Sequence, residues 1–222
     1  AAATWSVVED PFGGGFGHIE ALPGALPDPA GLGNRRLLAG AVGEYHVGLA
    51  VQDHEGRQSC ITDTIRFLVF PDPEIALRAE LIWLPFGTPA ADGDDVLELH
   101  MRPSGSATWG DPVRVCSPAS PLPELFEGAQ CAAAELPGGR PALATLRTLA
   151  PTKTYGFALR APETNTGPVR HAPDGEQRII LRLYCNTKLL DVTLPEGFEL
   201  EPGALVEVAR VAPGCALEPL LD

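Results

Sequence analysis

The chain lacks two features that would point to a membrane or to a nucleic acid. Its longest apolar candidate, residues 65–70, is interrupted by Arg66 and followed by Pro71, whereas a membrane-spanning helix needs about 20 apolar residues. Lys and Arg together number 16 in 222 residues and form no run. Nucleic-acid binding depends on clustered cations that neutralise phosphates. The sequence therefore predicts neither membrane insertion nor a nucleic-acid partner.

The sequence also lacks the local motifs that assemble catalytic or metal sites. It contains no G-x-S-x-G, H-E-x-x-H or C-x-x-C pattern. The histidines are scattered, and His46 and His100, which fall on predicted strands, are interpreted as outward polar residues or satisfied core imidazoles. The glycines at 13–15 lack the strand-to-helix context of a phosphate-binding loop. We therefore expect a protein that is not an enzyme and has no cofactor.

Glycine and proline, by contrast, are abundant. The chain has 24 Gly and 23 Pro, spread along its length. This composition favours many short elements joined by tight turns. The formal net charge is −13, which suits solubility in salt-rich surroundings and would allow weak cation binding.

Alternation of apolar and polar residues is the main secondary-structure signal. It is clearest in residues 44–52 and 62–70, which are predicted to form a long hairpin around a turn at 53–56. Other strands are predicted at residues 4–8, 36–38, 77–84, 96–101, 113–116, 142–149, 154–160, 177–185, 189–194 and 204–211. A helix is conceivable only at residues 123–134, where Gly128 weakens it. The sequence predicts an all-β fold of two sandwich domains.

Proline marks the predicted boundary between these domains. Pro71, Asp72 and Pro73 follow the long hairpin and would form a short, stiff connection. The predicted domains are therefore residues 1–72 and 73–222, and both have plausible domain sizes.

Two motifs in the first domain resemble a known family. Residues 4–11, Thr-Trp-Ser-Val-Val-Glu-Asp-Pro, resemble the W-x-V-V-x-x-P stretch of PKD-type immunoglobulin-like domains. Residues 42–53 resemble that family's G-x-Y-x-V-x-L-x-V-x-D strand. The resemblance covers the N-terminal third of the chain, and it implies an Ig-like sandwich in which Tyr45 packs at one end and Asp53 opens a turn.

The resemblance also implies that this sandwich is incomplete. A PKD-type domain has one or two strands before its Trp strand, whereas only Ala1, Ala2 and Ala3 precede Thr4 here. An open sandwich has unpaired edges and associates readily, and a strand donated by another chain would complete it. The start without Met is interpreted as that of a processed chain from which a leader was removed.

The second domain resembles another group less strongly. Residues 79–83, an acidic turn at 92–95 and residues 97–100 are similar to an L-x-W … D-L-D-L-H pattern. That pattern is found in β-sandwich modules that follow PKD-like domains in secreted proteins of myxobacteria-like bacteria. The resemblance implies a larger sandwich or jelly-roll-like unit with a surface or adhesion role.

The five cysteines favour disulfides. Cys116 and Cys131 bracket a proline-rich loop, and a bridge between them would stabilise the fold by about 3 kcal/mol. Cys185 ends one predicted strand and Cys215 follows another, so these two could also pair. Cys60 would then remain for an intermolecular bond. Such pairing indicates an oxidising compartment, and five reduced thiols in a cytosolic protein are the alternative.

Two further groups are candidate binding residues. Asp92, Asp94 and Asp95 could supply oxygen ligands for a weak calcium site, although a solvated turn explains them as well. Trp109 lies in a predicted turn and is the best-exposed tryptophan candidate for stacking against a ligand.

Together these features predict a secreted or cell-surface structural subunit. We expect it to associate with itself or with another surface protein through β-strand pairing between chains. One alternative is a carbohydrate- or protein-binding module of a larger secreted protein. The other is a virion decoration or tail protein, which would fold with reduced cysteines.

Overall fold

The structure is a computed structural model, and it describes residues 2–13, 15–22, 34–59, 64–84, 96–105, 108–134, 141–171 and 178–221. The regular elements of these residues are all β-strands, and every strand pair is antiparallel. The predicted all-β fold class is therefore confirmed.

The chain divides into two compact units. The first is centred on Ala1–Phe70, and the second comprises Pro71–Glu135 and Pro141–Asp222. The division between Phe70 and Pro71 lies next to the proline-rich boundary predicted from the sequence.

Two small sheets make up the described part of the first unit. Its strands are β1 (Ala2–Glu9), β2 (Gly17–Ala21), β3 (Arg35–Ala39), β4 (Gly43–Gln52) and β5 (Thr64–Val69). One sheet has the order β1-β4-β5, and the other is the β2-β3 hairpin. The first strand is longer than predicted because Ala2 and Ala3 pair with Gln52 and Val51.

Tyr45 is the fully buried centre of the first unit. Its hydroxyl accepts a hydrogen bond from the Ala41 N–H (3.0 Å) and lies 2.8 Å from the Ala41 carbonyl and 3.2 Å from that of Phe16. Gly17 packs so closely that an added Cβ would lie 2.8 Å from Tyr45 Cε1. These contacts attach the residues just before β2 and just after β3 to β4.

Two larger sheets and a short strand pair make up the described part of the second unit. Its strands are β6 (Leu77–Leu84), β7 (Glu98–Pro103), β8 (Ala129–Ala132), β9 (Ala142–Leu146), β10 (Tyr155–Arg160), β11 (Val169–Arg170), β12 (Arg178–Cys185), β13 (Lys188–Val192), β14 (Glu199–Leu200), β15 (Leu205–Ala212) and β16 (Ala216–Pro219). The sheet orders are β13-β12-β6-β9-β8, β16-β15-β10-β7 and β11-β14.

One hydrophobic core joins the two larger sheets. Leu81 and Leu181 come from the five-stranded sheet, Phe157 and Leu99 come from the four-stranded sheet, and all four side chains are at most 1% exposed. Because successive side chains point to opposite faces of a strand, the faces of the sheets opposite the core carry the polar side chains. The result is a sandwich-like arrangement with a polar outer face on the sheet that contains β7, β10 and β15.

Two predicted elements are wrong. Residues 113–116 do not form a strand: residues 112–114 are a turn, and only Cys116 makes an isolated bridge, to Met101. Asp111 holds this turn, because it accepts hydrogen bonds from the Val113 N–H through its side chain and from the Val115 N–H through its carbonyl. Residues 123–134 are not a helix. Gly128 adopts a left-handed backbone (φ +78°), and the chain then enters β8, which pairs with β9.

Candidate functional site

The structure forms both of the disulfides considered from the sequence. Cys116 bonds to Cys131 and Cys185 bonds to Cys215. Two disulfides in one chain indicate folding in an oxidising environment. Cys60, the predicted intermolecular thiol, lies outside the described residues. Within the residues described, no helix has the length and apolar character needed to cross a bilayer.

The predicted calcium ligands Asp92, Asp94 and Asp95 also lie outside the described residues. Among the residues that are described, no group of three His, Cys, Asp or Glu side chains is arranged to hold a metal ion.

Strand β5 forms an exposed apolar edge of the first unit. Ile65 is 51% exposed, Phe67 40% and Leu68 50%, and Phe70 just beyond the strand is 75% exposed. The strand pairs with β4 along one side, and none of the described strands pairs with its other side. Among the described strands β5 is therefore an edge strand, and the backbone groups on an edge can pair with another strand.

The apolar side chains of β5 point to both faces of the sheet. Phe67 and Ile65 stand opposite Tyr45 and Val47 of β4, and Leu68 stands opposite Glu44 on the other face. Ile65 and Phe67 also line a groove of about 290 Å³ between their sheet and the β2-β3 hairpin. The hairpin therefore covers this sheet face incompletely at β5.

The second unit has a cluster of paired charges on its polar sheet face. Glu207 of β15 accepts hydrogen bonds from Arg210 Nε (2.7 Å), Arg102 Nη2 (3.1 Å) and Trp109 Nε1 (3.3 Å). Gly156 of β10 leaves room beneath them, since an added Cβ would lie 2.6 Å from Glu207 Oε1. Burial raises the pKa of Glu207, but the hydrogen bonds and charges of Arg210 and Arg102 outweigh burial and lower it overall.

A second cluster lies beside the first, on β7 and β10. Glu98 Oε2 is 3.0 Å from His100 Nε2 and 3.3 Å from Arg160 Nη1. The hydrogen bond with His100 lowers the pKa of Glu98, and the nearby Arg160 charge adds to this against the opposing effect of burial. Glu98 is thus a carboxylate held between two nitrogen donors.

Trp109 is less accessible than the sequence suggested. It lies in a turn as predicted, but its side chain is half-buried. The Arg102 guanidinium carbon is 4.2 Å from the centroid of the Trp109 ring, which is the geometry of a cation–π contact. One face of the ring is therefore covered by Arg102, and stacking on that face is blocked.

Trp109 also contributes to a cleft of about 420 Å³ beside the charge clusters. The cleft lies between the polar sheet face and residues 109–120. The sheet supplies His100, Arg160 and Leu205, and the loop supplies Trp109, Gly110, Asp111, Pro112, Val115, Ser117, Ala119 and Ser120.

His100 was missed as a candidate binding residue, although its pattern was visible. Glu98, His100 and Arg102 occupy alternate positions of one strand and therefore share one face. Alternation alone does not reveal that loop 109–120 passes over that face.

No protein-family model, curated protein or solved structure matches this chain.

Proposed function

We propose that this protein is an extracellular structural subunit that assembles through β-strand pairing between copies of the chain. The observation that carries the proposal is strand β5, an edge strand with exposed Ile65, Phe67 and Leu68. In this proposal the protein binds and assembles and does not catalyse a reaction.

Protected edge strands contain Lys, Pro or a bulge, or they are short or covered by another segment. Strand β5 has neither Lys nor Pro, and its pairing with β4 is regular from Thr64 to Val69. Its single charged residue is Arg66, whose Nε lies 3.6 Å from Glu44 Oε2 on the neighbouring strand. The strand therefore has few of the features that prevent pairing with another chain.

A second copy of the chain fits this edge. An antiparallel β5–β5 pair centred on Phe67 would place the two Phe67 residues opposite each other and Arg66 of each copy opposite Leu68 of the other. No like charges would then face each other, and apolar cross-strand pairs stabilise such a ladder. The contact would be isologous, with a two-fold axis that closes the dimer.

The net charge of −13 opposes association between copies. Salt screens this repulsion, since the Debye length falls from about 10 Å at 0.1 M to about 3 Å at 1 M. Association through an apolar edge is therefore expected to strengthen with added salt, whereas association through ion pairs would weaken.

We further propose that the protein is secreted and that its first unit is Ig-like, and one feature supports each part. The disulfides Cys116–Cys131 and Cys185–Cys215 suit an extracellular environment. The Tyr45 hydroxyl bonds the backbone of Ala41, four residues upstream, and a tyrosine bonded in this way is a feature of immunoglobulin-like sandwiches.

Sedimentation velocity over a range of protein concentrations tests the assembly. Leu68→Lys adds a charge on the exposed edge and should weaken self-association at least tenfold, because an apolar contact worth about 1.5–3 kcal/mol is lost. Leu125→Lys is the matched control, since Leu125 is 62% exposed in the second unit. A wild-type chain that remains monomeric, or a control that dissociates equally, would overturn the proposal.

A further inference from the structure

We infer that the cleft beneath loop 109–120 is a binding site for a neutral, hydroxyl-rich ligand such as a sugar ring. This inference concerns the second unit and is independent of the assembly proposed for β5. The cleft volume of about 420 Å³ falls within the range of small-molecule sites, about 300–1,000 Å³.

The buried imidazole of His100 is the first indication of a ligand. The residue is 6% exposed and lines the cleft. Its Nε2 is held by Glu98 Oε2, while its Nδ1 is buried and has no hydrogen-bond partner among the described residues. Buried polar atoms in folded proteins are nearly always paired. Nδ1 has less than 1 Å² of accessible surface, so a ligand hydroxyl that supplies the missing partner must displace the imidazole slightly to reach it.

The tautomer set by Glu98 defines what His100 can bind. An ionised carboxylate only accepts hydrogen bonds, so the His100 nitrogen that faces it carries the proton. In the neutral imidazole the other nitrogen, Nδ1, then has a lone pair and accepts a hydrogen bond. This selects a ligand with an O–H or N–H donor.

The charges around the cleft favour a neutral ligand over an anion. Arg160 is the cation of the cleft lining, and Glu98 already lies 3.3 Å from its Nη1. Asp111 adds a carboxylate to the lining, and the whole chain is strongly acidic. A phosphate or carboxylate would therefore meet a compensated cation and a repulsive field.

The remaining lining combines apolar surface with hydroxyl groups. Trp109, Pro112 and Val115 provide apolar contacts. Ser117 Oγ accepts the Ser120 N–H and can still donate, and Ser120 Oγ donates to the Pro112 carbonyl and can still accept. A sugar ring has the matching character, because its C–H groups pack on apolar surfaces while its hydroxyls both donate and accept. Trp109 is held in place by Arg102 and Glu207, so this wall is formed before a ligand arrives.

An NMR titration of the full chain tests the site. The probes are methyl β-D-glucopyranoside, methyl β-D-galactopyranoside and methyl α-D-mannopyranoside, each raised to about 50 mM, which detects binding as weak as millimolar. At least one should shift the His100 imidazole ¹⁵N signals and the Trp109 indole N–H. No shift from any of them, or binding of acetate or phosphate at the same signals, would overturn the inference.

Two histidine variants distinguish loss of the binding site from a general effect of replacing a histidine by phenylalanine. His100→Phe should weaken glycoside binding at least tenfold. His46→Phe is the control, because His46 of the first unit makes the same contact with a glutamate two residues earlier, Glu44 Oε1 at 2.8 Å. If His100→Phe does not fold, Ser117→Ala and the wild-type ¹⁵N shifts remain as tests. Equal loss in His46→Phe would contradict the assignment.

Discussion

His171 is buried in the second unit and serves as a neutral hydrogen-bond acceptor. Its Nδ1 accepts the N–H of Ile179 at 3.0 Å, and this bond joins the end of β11 to β12. Burial lowers the pKa of His171, and the neighbouring Arg178 charge lowers it further. Protonation would both place a charge in a buried position and remove the acceptor.

The stability of the second unit should therefore fall with pH below about 6.5, the ordinary pKa of histidine. In that range the unfolded chain binds a proton that folded His171 does not, so the free energy of unfolding decreases as pH falls towards the lowered folded pKa. His171→Gln retains an acceptor for Ile179 and should remove this part of the pH dependence. Urea unfolding at a series of pH values measures it.

His18 provides the control, since its side chain is 56% exposed. Because it replaces an exposed histidine, His18→Gln should change the slope of stability against pH less than His171→Gln does. If both variants flatten the slope equally, or if neither does, the role assigned to His171 is wrong.

At the scale of elements, each disulfide ties a residue outside the named strands, Cys116 or Cys215, to a strand, β8 or β12. Cys116–Cys131 closes a loop with a sequence separation of 15, and Cys185–Cys215 joins the end of β12 to the turn before β16 with a separation of 30. By loop-closure entropy these bridges contribute about 3 and about 3.6 kcal/mol respectively.

Thiol labelling tests whether both disulfides form in the protein. The denatured but unreduced chain should take up at most one alkyl group, at Cys60, and prior reduction should raise this to five as measured by intact mass. Reduction should also lower the free energy of unfolding by roughly 3 kcal/mol for each bridge. Labelling of all five cysteines without reduction would instead favour the virion-protein alternative with free thiols.

Some elements were predictable from the sequence and others were not. The long strands β4 and β12 have clear alternation and were predicted nearly to their ends. Residues 113–116 also alternate, but the Asp111 carboxylate holds Val113 in a turn, and only Cys116 bridges to a strand, at Met101. Strand β8 exists because β9 pairs with it, and neither that pairing nor the positive φ of Gly128 is visible in a short sequence window.

At the scale of the whole molecule, the two units have separate cores. Tyr45 centres the first, and the cluster that contains Leu81 and Phe157 fills the second. Both disulfides lie within the second unit. The units are therefore expected to differ in how they respond to mutation and to reduction.

Tyr45→Phe tests this separation. Loss of the hydroxyl leaves the buried backbone groups of Ala41 and Phe16 without their bonds to Tyr45, which should cost about 1–3 kcal/mol. We expect calorimetry to show two transitions, of which Tyr45→Phe lowers one and disulfide reduction lowers the other. A single transition shifted by both changes would show that the chain unfolds as one cooperative unit.

The sequence alone determined the all-β class, a division near Pro71 and which cysteines could pair with each other. These properties depend on local alternation, turn residues and spacing. Tertiary structure alone decided that β4 is buried while β5, with similar alternation, is exposed, and that loop 109–120 covers His100. Alternation identifies the two faces of a strand, but what covers each face depends on segments distant in sequence.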